Sequence, residues 1–342
     1  MTLAEEARRA ELASFEEFQE LAARVRNWGR WGESDQIGAL NLITPEKVRD
    51  SAELVRAGKV FPLGIRFHAD GVWGPSGLRR NPIHLFAIDG GDSSGLGDHL
   101  DGWPDVSVAD SIFPHLWKGR TRYADDVVIM SLQSSTQWDS LGHVWYDDQL
   151  YNGYPAAAVT SRGATRNGIE RTLAKGVVGR AVLLDVARHR GVDSLAPLSP
   201  IHADELNEVC EAQGVEVRSG DILLVRTGWW SMFGRGVDAT TWRTQCPGLH
   251  WTTATWLREK DVAAVASDNI AVEVSGATVQ EAMLPLHMLT IRDMGVMLGE
   301  FWDLDALAAD CAEDGRYEVH LVAAPLNIPG AVGSPLNPIA MK

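Results

Sequence analysis

The sequence is short of cysteine, of basic charge and of long apolar runs, and each shortage excludes something. The three cysteines, Cys210, Cys246 and Cys311, are too few and too far apart for a disulfide framework or a CxxC metal pair. They read as small buried hydrophobes in a reducing, cytoplasmic setting. Lys plus Arg number 31 against 46 Asp plus Glu, a formal charge of −15. That balance argues against a nucleic-acid partner and against anionic membrane surfaces. There is no run of about 18 apolar residues of the kind that spans a bilayer, and the charged opening stretch lacks the apolar centre of a signal peptide. GxSxG, HExxH and P-loop motifs are missing too. Asp89–Gly97 (DGGDSSGLG) is glycine-rich but does not lie between a strand and a helix, so it fails as a nucleotide signature.

What is present in excess is tryptophan: 13, beside 5 Tyr and 8 Phe. Bulky rings with one N–H suit an aromatic-lined cleft or subunit contacts, although core packing accounts for any single one equally well.

Residues 4–26 carry Leu12, Phe15, Phe18, Leu21 and Val25 at helical spacing, and 1–30 reads as a helical extension. A second helix is expected over 45–57, with Pro45 near its start and Gly58 closing it. Residues 70–125 are rich in Gly, Pro, Asp and Trp and read as a loop-rich rim of a binding site. Six apolar, β-branched runs read as buried strands: Val127–Leu132, Val177–Val186, Ile222–Thr227, Val262–Ala266, Val296–Gly299 and Val319–Ala324. Helical patterns lie at 167–174, 202–213, 252–260, 278–284 and 303–312. The alternation predicts an α/β fold, a single domain over 1–342 with a mixed β-sheet flanked by helices.

Two stretches carry chemistry. In Ser131–His143 (SLQSSTQWDSLGH), an apolar strand runs into Gln137, Asp139 and His143. On a continuing strand, Gln137 and Asp139 share a face, because side chains alternate with period two. Asp139 sits among Trp138, Leu141 and Trp145, where a carboxylate is costly unless paired or bound to metal. An Asp capping a turn beside an ordinary histidine explains this stretch equally well. In 283–306, His287 follows Pro285, and Glu300 ends an apolar run, where sheet-rim sites are built. Asp139, His287 and Glu300 together are a divalent-metal set.

On these residues the chain resembles the cyclase family of metal-dependent hydrolases, which includes kynurenine formamidases and isatin hydrolases. That family's hallmark is His-x-Gly-Thr-His-x-Asp-x-Pro-x-His. Gln133 to His143 matches it in register: Thr136, Asp139 and His143 agree, and glutamines at 133 and 137 replace both metal-binding histidines. The likeness extends to Gly32–Pro45, Leu183–Val186, Gly220–Gly228, His287, Glu300 and Gly333–Pro338. It implies a swivelling β/β/α fold and a homodimer or homotetramer.

The resemblance also implies that Asp139, His287 and Glu300 hold a metal and that His143 shuttles the proton. A glutamine oxygen is a modest, hard ligand, so Gln133 and Gln137 imply at most one ion, Mn²⁺ or weakly held Zn²⁺. The metal-free alternative has the glutamines hydrogen-bonded to Asp139 and to substrate. Trp73, Trp138, Trp145, Trp229 and Trp230 are candidates to wall a pocket for a cyclic or aromatic substrate, and Asp268 and Asn269 either point into its mouth or cap a turn. The other histidines read as structural or surface residues. The first expectation is hydrolysis of a cyclic amide, imide, lactone or aryl formamide. The rivals are a ring-closing or dehydrating biosynthetic enzyme and a non-catalytic binder of a small aromatic ligand.

Overall fold

The computed structural model describes residues 12–73, 78–88 and 124–342. The expected helical residues 4–11 and most of the expected rim lie outside them. The chain divides into two compact units, Met1–Arg66 with Leu132–Lys342, and Phe67–Ser131.

The larger unit is built on a nine-stranded sheet. Its strands are β1 (Val60–Pro62), β2 (Gln137–Asp139), β3 (Val178–Asp185), β4 (Ile222–Arg226), β5 (Ala264–Ser267), β6 (Met297–Glu300), β7 (Glu318–Val322), β8 (Gly333–Pro335) and β9 (Ile339–Met341). The spatial order is β1-β9-β7-β3-β4-β5-β6-β2-β8. The four central strands, β3 to β6, are parallel, and the outer pairings are antiparallel. The sheet is therefore mixed and flanked by helices, as the alternation predicts.

Each central strand feeds both layers of the core, which is why these strands read as unbroken apolar runs. Val182, Leu184, Leu223, Val225, Val265 and Leu298 join one cluster with helical residues such as Phe18, Leu206, Leu257 and Leu289. Ala181, Leu183, Ile222, Leu224, Ala266 and Met297 join the other with Leu307 and Cys311. The helices include α1 (Phe15–Val25), α2 (Pro45–Ala52), α3 (Ala203–Gln213), α4 (Ala254–Glu259) and α5 (Asp305–Asp314). Ser14 and Glu17 form a capping box at the start of α1.

The sheet curls. β8 is its last strand and β9 its second from the other end, yet only residues 336–338 separate them in sequence. Such a link reaches at most roughly 14 Å.

Several expectations need correction. The helix at 45–57 stops at Ala52. The pattern at 278–284 is not helical; the helix begins at Pro285, whose missing N–H suits a first turn. The 167–174 pattern is a 3₁₀ helix, Ile169–Ala174. The apolar run at Val127–Leu132 is not a buried sheet strand. In the smaller unit, Asp125–Ile129 pairs with Ile83–Ile88 in a two-stranded antiparallel ribbon, and all five of its residues are exposed. Among the described residues the ribbon has no third strand and no second layer to bury it.

Candidate metal centre

The centre begins with register. β2 runs antiparallel to β6 with Gln137 opposite Glu300, Trp138 opposite Gly299 and Asp139 opposite Leu298. Opposed side chains share a face, so Gln137, Asp139 and Glu300 project together on the side of the Leu298 cluster. Glu300 ends a parallel strand, the position where open α/β sheets place their sites. Trp138 takes the opposite face. There its ring packs edge-on to Trp302 at 4.9 Å, and its indole N–H donates to the Ala323 carbonyl at 2.9 Å.

That opposite face also explains a glycine. A Cβ on Gly299 would lie 2.7 Å from Trp138, 2.8 Å from Ala266 and 2.8 Å from the Trp302 nitrogen. Only hydrogen fits there, so the strand that ends in Glu300 lies flat on the two indoles.

His287 arrives from the short helix Pro285–His287, which continues as the π-helical turn Met288–Met294. Its Nε2 is 3.3 Å from Glu300 Oε1 and 4.0 Å from Asp139 Oδ2. One ligating atom from each of Asp139, His287 and Glu300 falls within 4.8 Å of the others, and all three residues are buried. His143 stands beside them, Nε2 3.7 Å from Asp139 Oδ1, with 19% of its side chain exposed.

Sequence reading missed one member, Glu273. This buried carboxylate accepts from the Leu286 N–H at 3.1 Å, from the His287 N–H at 3.0 Å and from His287 Nδ1 at 2.5 Å. It caps the start of the helix and fixes the imidazole so that Nε2 turns to Asp139 and Glu300. This is the carboxylate–histidine arrangement that orients metal ligands. The signal was an acid between two valines in Ala271–Val274 (AVEV), the same kind of misfit that marked Glu300.

The electrostatics follow. Burial opposes a charge on His287, but Glu273 on one nitrogen and Glu300 on the other outweigh it and lift the imidazole to about 10. Three buried carboxylates face this single imidazole, whose Nε2 would give up its proton to a bound ion, and an unbalanced buried charge is expensive. A divalent cation would offset it. Two carboxylates and an imidazole are a sound donor set for such an ion, so these residues fit a metal.

Gln137 is fully buried at the same point. Its Nε2 donates to Glu300 Oε2 at 2.6 Å and to Asp139 Oδ1 at 3.3 Å. Gln133 lies instead against β8, where a Cβ on Gly333 would come within 2.5 Å of its Nε2.

The remaining candidates are spread out. Trp138 is core. Trp229 is core as well, its indole donating to the Trp242 carbonyl while the Trp242 indole donates back to the Trp229 carbonyl. Trp230 stacks on Phe233. Trp145 is 40% exposed. Trp73, in the smaller unit, lies beneath Arg79.

Asp268 is tied to a turn. It is fully buried, accepts from the Thr227 N–H and hydroxyl and the Gly228 N–H, and is pushed up to about 6 by burial against those bonds. Asn269 is likewise spent on backbone, donating to Pro247 and accepting from Val272. Both hold the turns that follow the strand ends.

Comparison with known proteins places this geometry. The Cyclase family model matches residues 65–274. No curated protein matches the chain. A solved structure described as a novel cyclase is 41% identical, covers 93% of this chain and 99% of its own, and superposes with a TM-score of 0.80. Isatin hydrolase A from Ralstonia solanacearum is 18% identical over 83% of this chain and 92% of its own, with a TM-score of 0.56. An isatin hydrolase bound to the product analogue thioisatinate is 16% identical over 87% and 98%, with a TM-score of 0.57. These last two share the fold.

Proposed function

The chain belongs to the cyclase family, and from that premise we propose a metal-dependent hydrolase that opens a cyclic amide, imide or lactone or cleaves an aryl formamide. The observation that carries this reading is the convergence of Asp139, His287 and Glu300 within 4.8 Å beside a partly exposed histidine.

A divalent ion held by these three residues, Mn²⁺ or Zn²⁺, would polarise the scissile carbonyl and make a water acidic. The protein's own groups do the rest. Glu273 holds His287 in one tautomer, with Nδ1–H toward the carboxylate and Nε2 toward the site. Asp139 draws the His143 ring inward. From there His143 takes a proton from the attacking water and returns it to the leaving nitrogen or oxygen. Trp145 is the aromatic side chain we assign to contact with a planar substrate. A cytoplasmic homodimer or homotetramer completes the reading; no helix among the described residues is long and apolar enough to cross a membrane.

The test is elemental analysis of purified protein, followed by a screen of lactones, cyclic imides and N-formyl anilines. One equivalent of Mn or Zn, lost together with turnover on chelation and restored with it, is the expected result. Turnover that survives complete removal of metal would overturn the hydrolase reading. It would favour ring closure or dehydration instead, the second reading. The "novel cyclase" description of the 41% identical structure and the hydrogen bonds of Gln137 to both acids support that alternative.

A further inference from the structure

Gln137 divides the two acids. An amide oxygen and a carboxylate both accept, so the amide can meet Asp139 and Glu300 only through its nitrogen. It does so at one oxygen of each, Glu300 Oε2 and Asp139 Oδ1. The other oxygen of each, Glu300 Oε1 and Asp139 Oδ2, is the one nearer His287 Nε2. The backbone sets this division, because Gln137 is registered opposite Glu300 and lies two residues from Asp139 on one face. The bonding also leaves Gln137 Oε1 buried with no hydrogen-bond partner among the described residues.

We propose that Gln137 is a positioning residue rather than a ligand. Its amide nitrogen forks between the acids and leaves one oxygen of each, Asp139 Oδ2 and Glu300 Oε1, turned toward His287 Nε2, where these three atoms would hold a single divalent ion. This rests on the metal reading above and revises the expectation that Gln137 itself ligates. The amide hydrogens also occupy the side of the acids that a second cation would approach, so the centre is mononuclear. With each acid held to one oxygen, one protein face supplies three donors, and the rest of the coordination sphere stays open to substrate and water.

The test uses metal-stripped full-length protein titrated with Mn²⁺ and with Co²⁺. Wild type is expected to bind one ion. Gln137→Leu is expected to bind one ion about 10- to 100-fold more weakly, the usual loss when a group behind the ligands is removed. Its Co²⁺ visible spectrum should keep the wild-type band positions, because no donor is lost. Unchanged affinity in the variant overturns the fork. A spectrum showing a lost oxygen donor overturns it as well, by making Gln137 a ligand. Two ions in wild type overturn the mononuclear centre. No ion in wild type overturns both the fork and the metal reading beneath it.

Should the leucine variant not fold, ¹⁵N-glutamine labelling of wild type decides the matter. The side-chain amide protons of Gln137 should stay slow to exchange, and shifted as in charge-assisted bonds, before and after Zn²⁺ is added. Solvent-like exchange in the Zn²⁺-loaded protein would overturn the proposal.

Discussion

Glu273→Gln is the change that isolates the support behind His287. The native carboxylate takes three donors in a buried site: two backbone N–H groups and the imidazole N–H. Glutamine has the same size but offers one oxygen. Turned to His287, that oxygen keeps two bonds, and its own NH₂ then meets the Leu286 N–H, donor against donor. A buried N–H left unsatisfied costs about 1–3 kcal/mol. The two surviving bonds lose charge assistance, which roughly doubles such a bond when present. Together the loss is about 2–4 kcal/mol, a fall of several degrees in melting temperature. The imidazole is also less firmly held, so ion affinity should drop about 10- to 100-fold. Glu273→Ala, which strands all three donors, should be the more destabilised of the two. Differential scanning calorimetry of the metal-stripped protein and Mn²⁺ titration read the two effects separately. If Glu273→Gln melts with wild type and binds Mn²⁺ within a factor of two of it, the carboxylate does not position His287 and the argument fails.

Other outcomes follow from the same geometry. Gly299→Ala drives a methyl into Trp138, Ala266 and the Trp302 nitrogen. Overpacking of that kind costs about 1–3 kcal/mol, to be read from urea denaturation, and an unchanged midpoint would contradict it. His143→Ala should lower kcat about 100-fold or more while leaving the ion content by elemental analysis at the wild-type value. Equal losses of both would make His143 a ligand instead. His250 is held down to about 4, against an ordinary 6.5, by burial and by the His202 ring 4.6 Å away. Its folded pKa is the depressed one, so protonation favours the unfolded chain and stability drains away as pH falls from about 6.5 toward 4. Denaturation at pH 7 and pH 4.5 should therefore show a smaller acid loss in His250→Asn than in wild type. Equal losses would dismiss the histidine as a cause.

The parts of the molecule legible in the sequence are those where one physical rule dominates. Strands β3 to β6 are buried on both faces, and continuous apolar runs announce them. Gln137 and Asp139 share a face because strands have period two, and Glu300 stood out as an acid ending an apolar run. The same rule, applied to Trp138, would have sent it away from the site: its neighbours in sequence are the centre, and its neighbours in space are Trp302 and Ala323. Asp268 and Asn269 could not be sorted from sequence, since a polar residue after a strand serves a site or a turn equally well. Which it serves depends on backbone N–H groups contributed from Thr227 and Val272. Glu273 was hidden for a related reason. Its partner lies 14 residues on in sequence, and no short-range pattern joins them. The ribbon at Asp125–Ile129 misled because composition records apolarity and not the number of neighbouring strands.

The short tie between β8 and β9 has a mechanical consequence. β8 is hydrogen-bonded along β2, the strand that carries Gln137 and Asp139, and β9 is stitched between β1 and β7. One tail thus fastens two margins of the sheet, and it keeps the strand bearing half the centre from becoming a bare edge open to foreign strands. Clipping those final residues would unfasten both margins together and let Asp139 drift away from Glu300, so damage far along the chain would register first as lost grip on the ion.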